Sequence, residues 1–137
     1  MADHQGKCYC GALRFEMNAE PVMQAQCHCR ECQYFSGGGA NYFMVIPEAG
    51  FKYTSGTPKY FTRSDLEAPV TREFCSDCGT HIATCRPNLP MVILKVGTLE
   101  APSNAYTPQL AIFANDKQAF HVVPEGMPCF QEMAPRK

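Results

Sequence analysis

The stretch CSDCGTHI, residues 75–82, holds two cysteines, a glycine directly after the second, and then a β-like run. CYCGALRF, residues 8–15, repeats that grammar near the start of the chain. Two sulfurs can grip one ion only if the backbone turns sharply after the second, and Gly11 and Gly79 can take positive φ there without a Cβ clash. Backbone N–H groups in such a turn can also point at the thiolates and stabilise their charge. Read as two matched knuckles, Cys8, Cys10, Cys75 and Cys78 form one zinc site. Four thiolates complete the tetrahedron and exclude water, which is the structural type. The two pairs lie more than sixty residues apart, so the ion would staple the first strand to the middle of the chain. The bland alternative is that these cysteines are small buried residues. Packing alone gives no reason for a glycine after each pair.

A different cluster stands between the knuckles. In QCHCRECQ, residues 26–33, Cys27, Cys29 and Cys32 lie within six positions, and Gln33 follows where a knuckle would have glycine. Three protein ligands with one exchangeable position make the catalytic type of zinc site. The trio could instead be a closed site with His28, Cys85 or Cys129 as fourth ligand, or a metal-free redox dithiol. His28 lies between two of the cysteines, so its ring is expected to turn away from their ion.

The 137 residues make one domain of ordinary size, here taken as 1–137, and 45% hydrophobic content is enough for a real core despite the lack of tryptophan. Twelve basic and thirteen acidic residues leave a formal charge of -1 with no basic block, so neither nucleic acid nor an anionic membrane surface is implied. The opening MADHQGKCYC has no apolar run, and no stretch reaches the ~18 apolar residues of a membrane helix. The expectation is a cytoplasmic protein. In a reducing compartment nine cysteines are not structural disulfides, and their tight clustering favours metal.

Short β-like runs recur: ALRFEM with Leu13 and Phe15 on one face, NYFMVI, FKYTSGTPKYF as two strands around a Ser-Gly-Thr-Pro turn, VTREF, THIATC, MVILKVGTL and QLAIFA. Helical turns are expected only near HCRECQYF and around TRSDLE. The fold class is therefore all-β, a small zinc-bound domain of antiparallel strands, with the tail PEGMPCFQEMAPRK packed as an irregular strap.

KCYCGALRF, QCHCRECQYFSGG and FCSDCGTHIAT, in this order, resemble the glutathione-dependent formaldehyde-activating enzyme family, which also includes centromere protein V. QLAIFANDKQAF and PEGMPCFQEMAP fit its C-terminal pattern more loosely. The resemblance implies a β-tent fold and two zinc ions per chain. Cys8, Cys10, Cys75 and Cys78 match the structural ligands. Cys27, Cys29 and Cys32 match the catalytic ones, whose ion would be held less tightly. It implies a carbon–sulfur lyase working in reverse, joining glutathione or a similar thiol to formaldehyde or another small aldehyde, with the substrate sulfur in the trio's fourth position. A thiol or aldehyde carrier, or a zinc-stapled protein-binding module, is the non-catalytic alternative. Tyr34 and His28 are candidate proton donors. Gly37, Gly38 and Gly39 could offer N–H groups to a carboxylate, and Arg63 or Arg72 could hold one. The chain is shorter than the glutathione-acting members, and Gln33 replaces a basic residue common in the family.

Overall fold

The computed structural model describes residues 4–134. Strands β1 (His4–Lys7), β2 (Arg14–Met17), β3 (Met23–Cys27), β4 (Asn41–Pro47), β5 (Phe51–Ser55), β6 (Lys59–Thr62), β7 (Thr71–Phe74), β8 (His81–Cys85), β9 (Met91–Lys95) and β10 (Leu110–Ile112) carry the fold. Helices α1 (Arg30–Ser36) and α2 (Pro102–Ala105) are short. The expected all-β class is what the structure has. Strands β1-β2-β5 form a three-stranded sheet, and β10-β3-β4-β9-β8-β7-β6 a seven-stranded one.

Several details differ from the sequence reading, among them β1, β3 and α2, which fall on none of the expected runs or helical turns. β10 runs parallel to β3, with Leu110 opposite Ala25, so the large sheet is mixed at that edge. β5 and β6 do flank the Ser-Gly-Thr-Pro turn, but β5 pairs with β2 and β6 with β7, so the turn joins two sheets and makes no hairpin. TRSDLE forms no helix: Thr62 ends β6, and Arg63 forks onto Asp65 two residues on, at 2.9 and 2.6 Å. That local bond favours a loop over a helical turn. The tail to residue 134 is irregular, as expected, and touches the sheet through an isolated bridge from Cys129 to Ala111. Residues 135–137 of that tail lie outside the described residues.

Directly opposed residues in a sheet share a face, so register sorts the large sheet into two. The row Glu73–Ala83–Leu94–Met44 looks toward the small sheet. There Leu13, Phe15 and Met17 pack with Met44, Ile46, Ile82, Val92 and Leu94 in the main core. The row Arg72–Thr84–Ile93–Val45–Met23 looks the other way, as do Lys95, Phe43 and Ala25 along their own row. Ala25, Cys27, Cys32, Phe43 and Ile112 make a second core on that side, with Phe130 of the tail packed against it. No helix among the described residues is long and apolar enough to cross a membrane.

Candidate metal centres and the cleft beside the trio

The first cluster stands where the two sheets meet. Cys8 and Cys10 follow β1, and Cys75 and Cys78 fill the turn between β7 and β8. The turn glycines have the expected conformation, φ 84° at Gly11 and 81° at Gly79. The four sulfurs lie within 4.8 Å of one another, and the Cys8–Cys10 and Cys10–Cys75 separations are both 3.7 Å. A tetrahedron of sulfurs at the ordinary Zn–S distance has an edge of about 3.8 Å, so this donor set fits zinc. Burial pushes the Cys8 thiol up, but hydrogen bonds from Leu13 N–H at 3.2 Å and from the neighbouring thiols outweigh it and leave Cys8 lowered. The Thr80 hydroxyl, 3.1 Å away, followed by backbone N–H groups, brings the Cys78 thiol down to about 5. Both knuckles thus aim donors at sulfur, as a thiolate ligand requires.

The trio lies on the other face. Cys27 ends β3, and Cys29 is the N-cap of α1, with extended backbone (φ -63°, ψ 154°) and a sulfur accepting from Cys32 N–H at 3.4 Å. A side-chain acceptor at this position satisfies one orphan helix donor. Cys32 then falls on the first turn, and α1 ends after seven residues at Gly37, whose φ of 83° is the left-handed cap. The three sulfurs lie within 4.8 Å of one another. Among the described residues no other His, Cys, Asp or Glu ligand atom joins them. Hydrogen bonds from Cys27 and then Cys32, helped by the Arg72 charge, pull the Cys29 thiol down to about 2, while Cys27, the partner in the first of these, is pushed up. The trio therefore carries thiolate charge, and three sulfurs without a fourth ligand atom among the described residues fit a zinc ion with one exchangeable position.

None of the three candidates for a fourth ligand is there. His28 is buried, with Nε2 2.9 Å from Gln26 Oε1 and its ring against His121. Cys85 donates to Glu73 Oε2 at 3.3 Å in the joint between the sheets, and burial raises its thiol to about 12. It is thus a poor nucleophile. Cys129 is exposed on the tail. Tyr34 is exposed beneath Arg30. Gly38 donates its N–H to Gln33 O and accepts from His121 Nε2 at 2.6 Å, so the glycine turn caps α1 and is bound to the tail. Arg63 is exposed and engaged by Asp65 and Glu31.

Arg72 is different. It is 8% exposed and lies over the Phe35 ring, its guanidinium carbon 4.0 Å from the centroid. With Phe35, Phe61, Phe74, Gly79 and His81 it lines a cavity of about 420 Å³. Phe35 stands one helical turn after Cys32, which places the cavity beside the trio. A bulge at Ile82, where Phe74 opposes His81 and Glu73 opposes Ala83, re-aims His81 against Phe35. Burial, then the charges of Lys95 and Arg72, bring His81 down to about 3, so the ring is neutral. Its Nε2–H donates to Ala83 O at 3.1 Å, and Nδ1 is buried without a partner among the described residues. Lys95 is buried enough to fall to about 8, with the Cys32 thiol opposing that shift most strongly.

The sequence reading assigns no role at the site to Lys95, His81, Phe61 or Phe74 and takes Phe35 only as a core or rim contact. Lys95 did leave a signal, since it is the one charge in the apolar run MVILKVGTL. Gln33 was noted only as a departure from the family. It is 3% exposed and makes four hydrogen bonds that fix α1.

Residues 3–116 match the model of the family described as glutathione-dependent formaldehyde-activating enzyme. A Halomonas elongata protein, by name a candidate glutathione-dependent formaldehyde-activating enzyme, is 30% identical over 65% of this chain and 60% of its own length. A Penicillium rubens protein with the same name is 30% identical over 56% of this chain and 40% of its own. An uncharacterised lyase of Schizosaccharomyces pombe is 26% identical over 60% of this chain and 57% of its own. The matched region thus spans 40–60% of the length of these relatives. A crystal structure of a Rhodobacter sphaeroides protein superposes with a TM-score of 0.59 at 17% identity, covering 92% of this chain and 98% of that one, which is a likeness of fold. With four-fifths of its residues inside the family match, the chain belongs to the glutathione-dependent formaldehyde-activating enzyme family.

Proposed function

We propose that this chain is a carbon–sulfur lyase-type enzyme that joins a thiol, glutathione or a close analogue, to formaldehyde or another small aldehyde. In this reading Cys8, Cys10, Cys75 and Cys78 hold a structural zinc, and Cys27, Cys29 and Cys32 a catalytic one. The observation that carries it is the trio itself: three converging sulfurs, no fourth protein ligand among the described residues, and a cavity alongside. Zinc on the trio would supply one open position at which an incoming thiol loses its proton yet stays nucleophilic.

The chain's own residues do the rest. Arg72 and Lys95 place positive charge beside a cluster whose thiolates outnumber the charge on zinc. Phe35, Phe61 and Phe74 wall the adjoining cavity, which offers apolar room for the rest of the thiol substrate. The sulfur lone pair forms the new C–S bond, the carbonyl π pair moves to oxygen, and the proton lost by the thiol ends on that oxygen. No oxidant or reductant is needed. Three thiolates make zinc a weak Lewis acid, which disfavours ester or amide hydrolysis. All nine cysteines are free thiols, which suits the reducing cytoplasm.

Cobalt-substituted protein tests this reading. Glutathione titration should change the thiolate-to-metal absorption and speed S-hydroxymethylglutathione formation. No spectral change at saturating glutathione, with the trio loaded, would exclude glutathione as the fourth ligand. A change without acceleration would favour a thiol carrier.

A further inference from the structure

We infer that the cavity beside the trio is a carboxylate subsite anchored by Arg72, so that the thiol taken by this chain carries a carboxylate. This rests on the thiol-binding reading above. Guanidinium presents a planar fork of N–H donors that matches a carboxylate and stays charged at every working pH. Such a group is seldom buried without a close counter-ion. Arg72 is buried and has no hydrogen-bond acceptor for that fork among the described residues. Its nearest carboxylate oxygen is Glu31 Oε2, at 3.8 Å and beyond hydrogen-bonding reach. Glu31 is half-exposed, and its other oxygen belongs to Arg63 at 3.1 Å.

The surroundings suit a small anion with an apolar stem. The Phe35 ring packs against the guanidinium, and Phe61 and Phe74 are the apolar walls. The volume of about 420 Å³ is at the lower end of small-molecule sites. His81 is neutral, so Arg72 is the permanent cation among the lining residues. Lys95 stands on the same side of the large sheet as Arg72, and its charge is felt by Arg72 and by the sulfurs of the trio. One planar fork in an aromatic-walled cavity selects a monoanionic carboxylate over a phosphate, which would require more positive charge. Glu31 acts as a weak internal competitor for the same fork.

Two thiols of similar size separate the subsite from the sulfur position: 3-mercaptopropionate and 3-mercapto-1-propanol. Their affinities are read from the absorption of protein with cobalt on the trio, and that of propionate, which has no sulfur, by calorimetry. Wild type should prefer the carboxylate thiol about tenfold or more, the size of a charge-assisted bidentate contact. Arg72→Gln should erase that preference and the binding of propionate. Arg72→Lys should retain part of it. Glu31→Gln, an exposed change that leaves the fold alone, should strengthen carboxylate binding several-fold and leave 3-mercapto-1-propanol unchanged. If Arg72→Gln does not fold, Arg72→Lys and Glu31→Gln still decide. An unchanged ratio between the thiols in the Arg72 and Glu31 variants, or equal losses for both thiols, overturns the subsite. If neither thiol alters the spectrum while propionate binds in an Arg72-dependent way, the sulfur reading fails and the subsite stands.

Discussion

Replacing Gln33 with leucine should loosen the trio without touching a sulfur. The Gln33 amide donates through Nε2 to His28 O at 2.8 Å and to Asp116 O at 2.9 Å. Its Oε1 accepts from Gln118 Nε2 at 3.0 Å and from Arg30 Nη1. One side chain thus ties α1 to the end of β3, to the turn at Ala114–Asp116 and to the tail. Leucine is one bond shorter but of comparable bulk, so the loss is mainly polar. The carbonyls of His28 and Asp116 lose their partners in a buried or half-buried place, at about 1–1.5 kcal/mol each. The expected cost is about 3 kcal/mol, or a melting point about 10 °C lower for a domain of this size. Gln33→Glu should cost at least as much, because it turns an acceptor toward both carbonyls. Cys29 and Cys32 ride on the helix that is released, so the trio's ion should exchange faster while the four-cysteine ion stays. The assays are thermal melting and chelator competition on zinc-loaded protein. A loss under 1 kcal/mol with unchanged exchange at the trio would refute the clamp, as would equal loosening of both metals.

Cys75→Ser should prevent stable folding, because a structural zinc is worth on the order of 10–16 kcal/mol in small peptides, comparable to a whole domain's stability. Cys29→Ser should leave the fold and remove only the second ion; metal analysis with melting curves on both variants separates them, and equal destabilisation would make the trio structural. Lys95→Met should stabilise protein whose trio is metal-free. Burial takes this ammonium from 10.5 to about 8, which is at most about 3 kcal/mol against the charged form. The unfolded chain holds the extra proton between those two values, so the wild-type deficit is complete below pH 8 and fades as pH rises through that window; urea midpoints at pH 7 and 10 should show the gap closing. Tyr53 donates to Glu73 Oε1 at 2.7 Å across the sheet joint, and burial, then that carboxylate, push its phenol up. Its stabilisation is complete below pH 10 and is lost as pH climbs above it, so Tyr53→Phe should flatten the alkaline fall in melting temperature and cost ~1–2 kcal/mol at neutral pH.

What could be read from the sequence was whatever local chemistry dictates. The knuckles were legible because two cysteines and a glycine constrain only a few residues; the helical turn near HCRECQYF was legible too, but not its caps at Cys29 and Gly37, which the structure supplies. The pairing of β10 with β3 was not, since Leu110 meets Ala25 from the far end of the chain and nothing near either residue encodes the match. The turn after β5 looked like a hairpin because turn residues specify a reversal but not which sheet receives the next strand. The cavity was the least legible part. Its wall comes from α1, β6, β7, the second knuckle and β8, and a buried arginine looks the same in sequence as an exposed one.

That division also explains why one chain can use the same ligand for two purposes. Both clusters are made of cysteine, yet what differs is the backbone around them. The four-cysteine cluster draws its pairs from two sheets, so the ion's coordination sphere is filled by the act of assembling the fold. The trio draws all its sulfurs from one continuous stretch, the end of β3 and the first turn of α1. This segment offers three sulfurs and no fourth ligand atom among the described residues, and the same side of the sheet carries Lys95 and Arg72. Openness there follows from ligand spacing along the chain, and selectivity from residues that the sheet brings in from elsewhere.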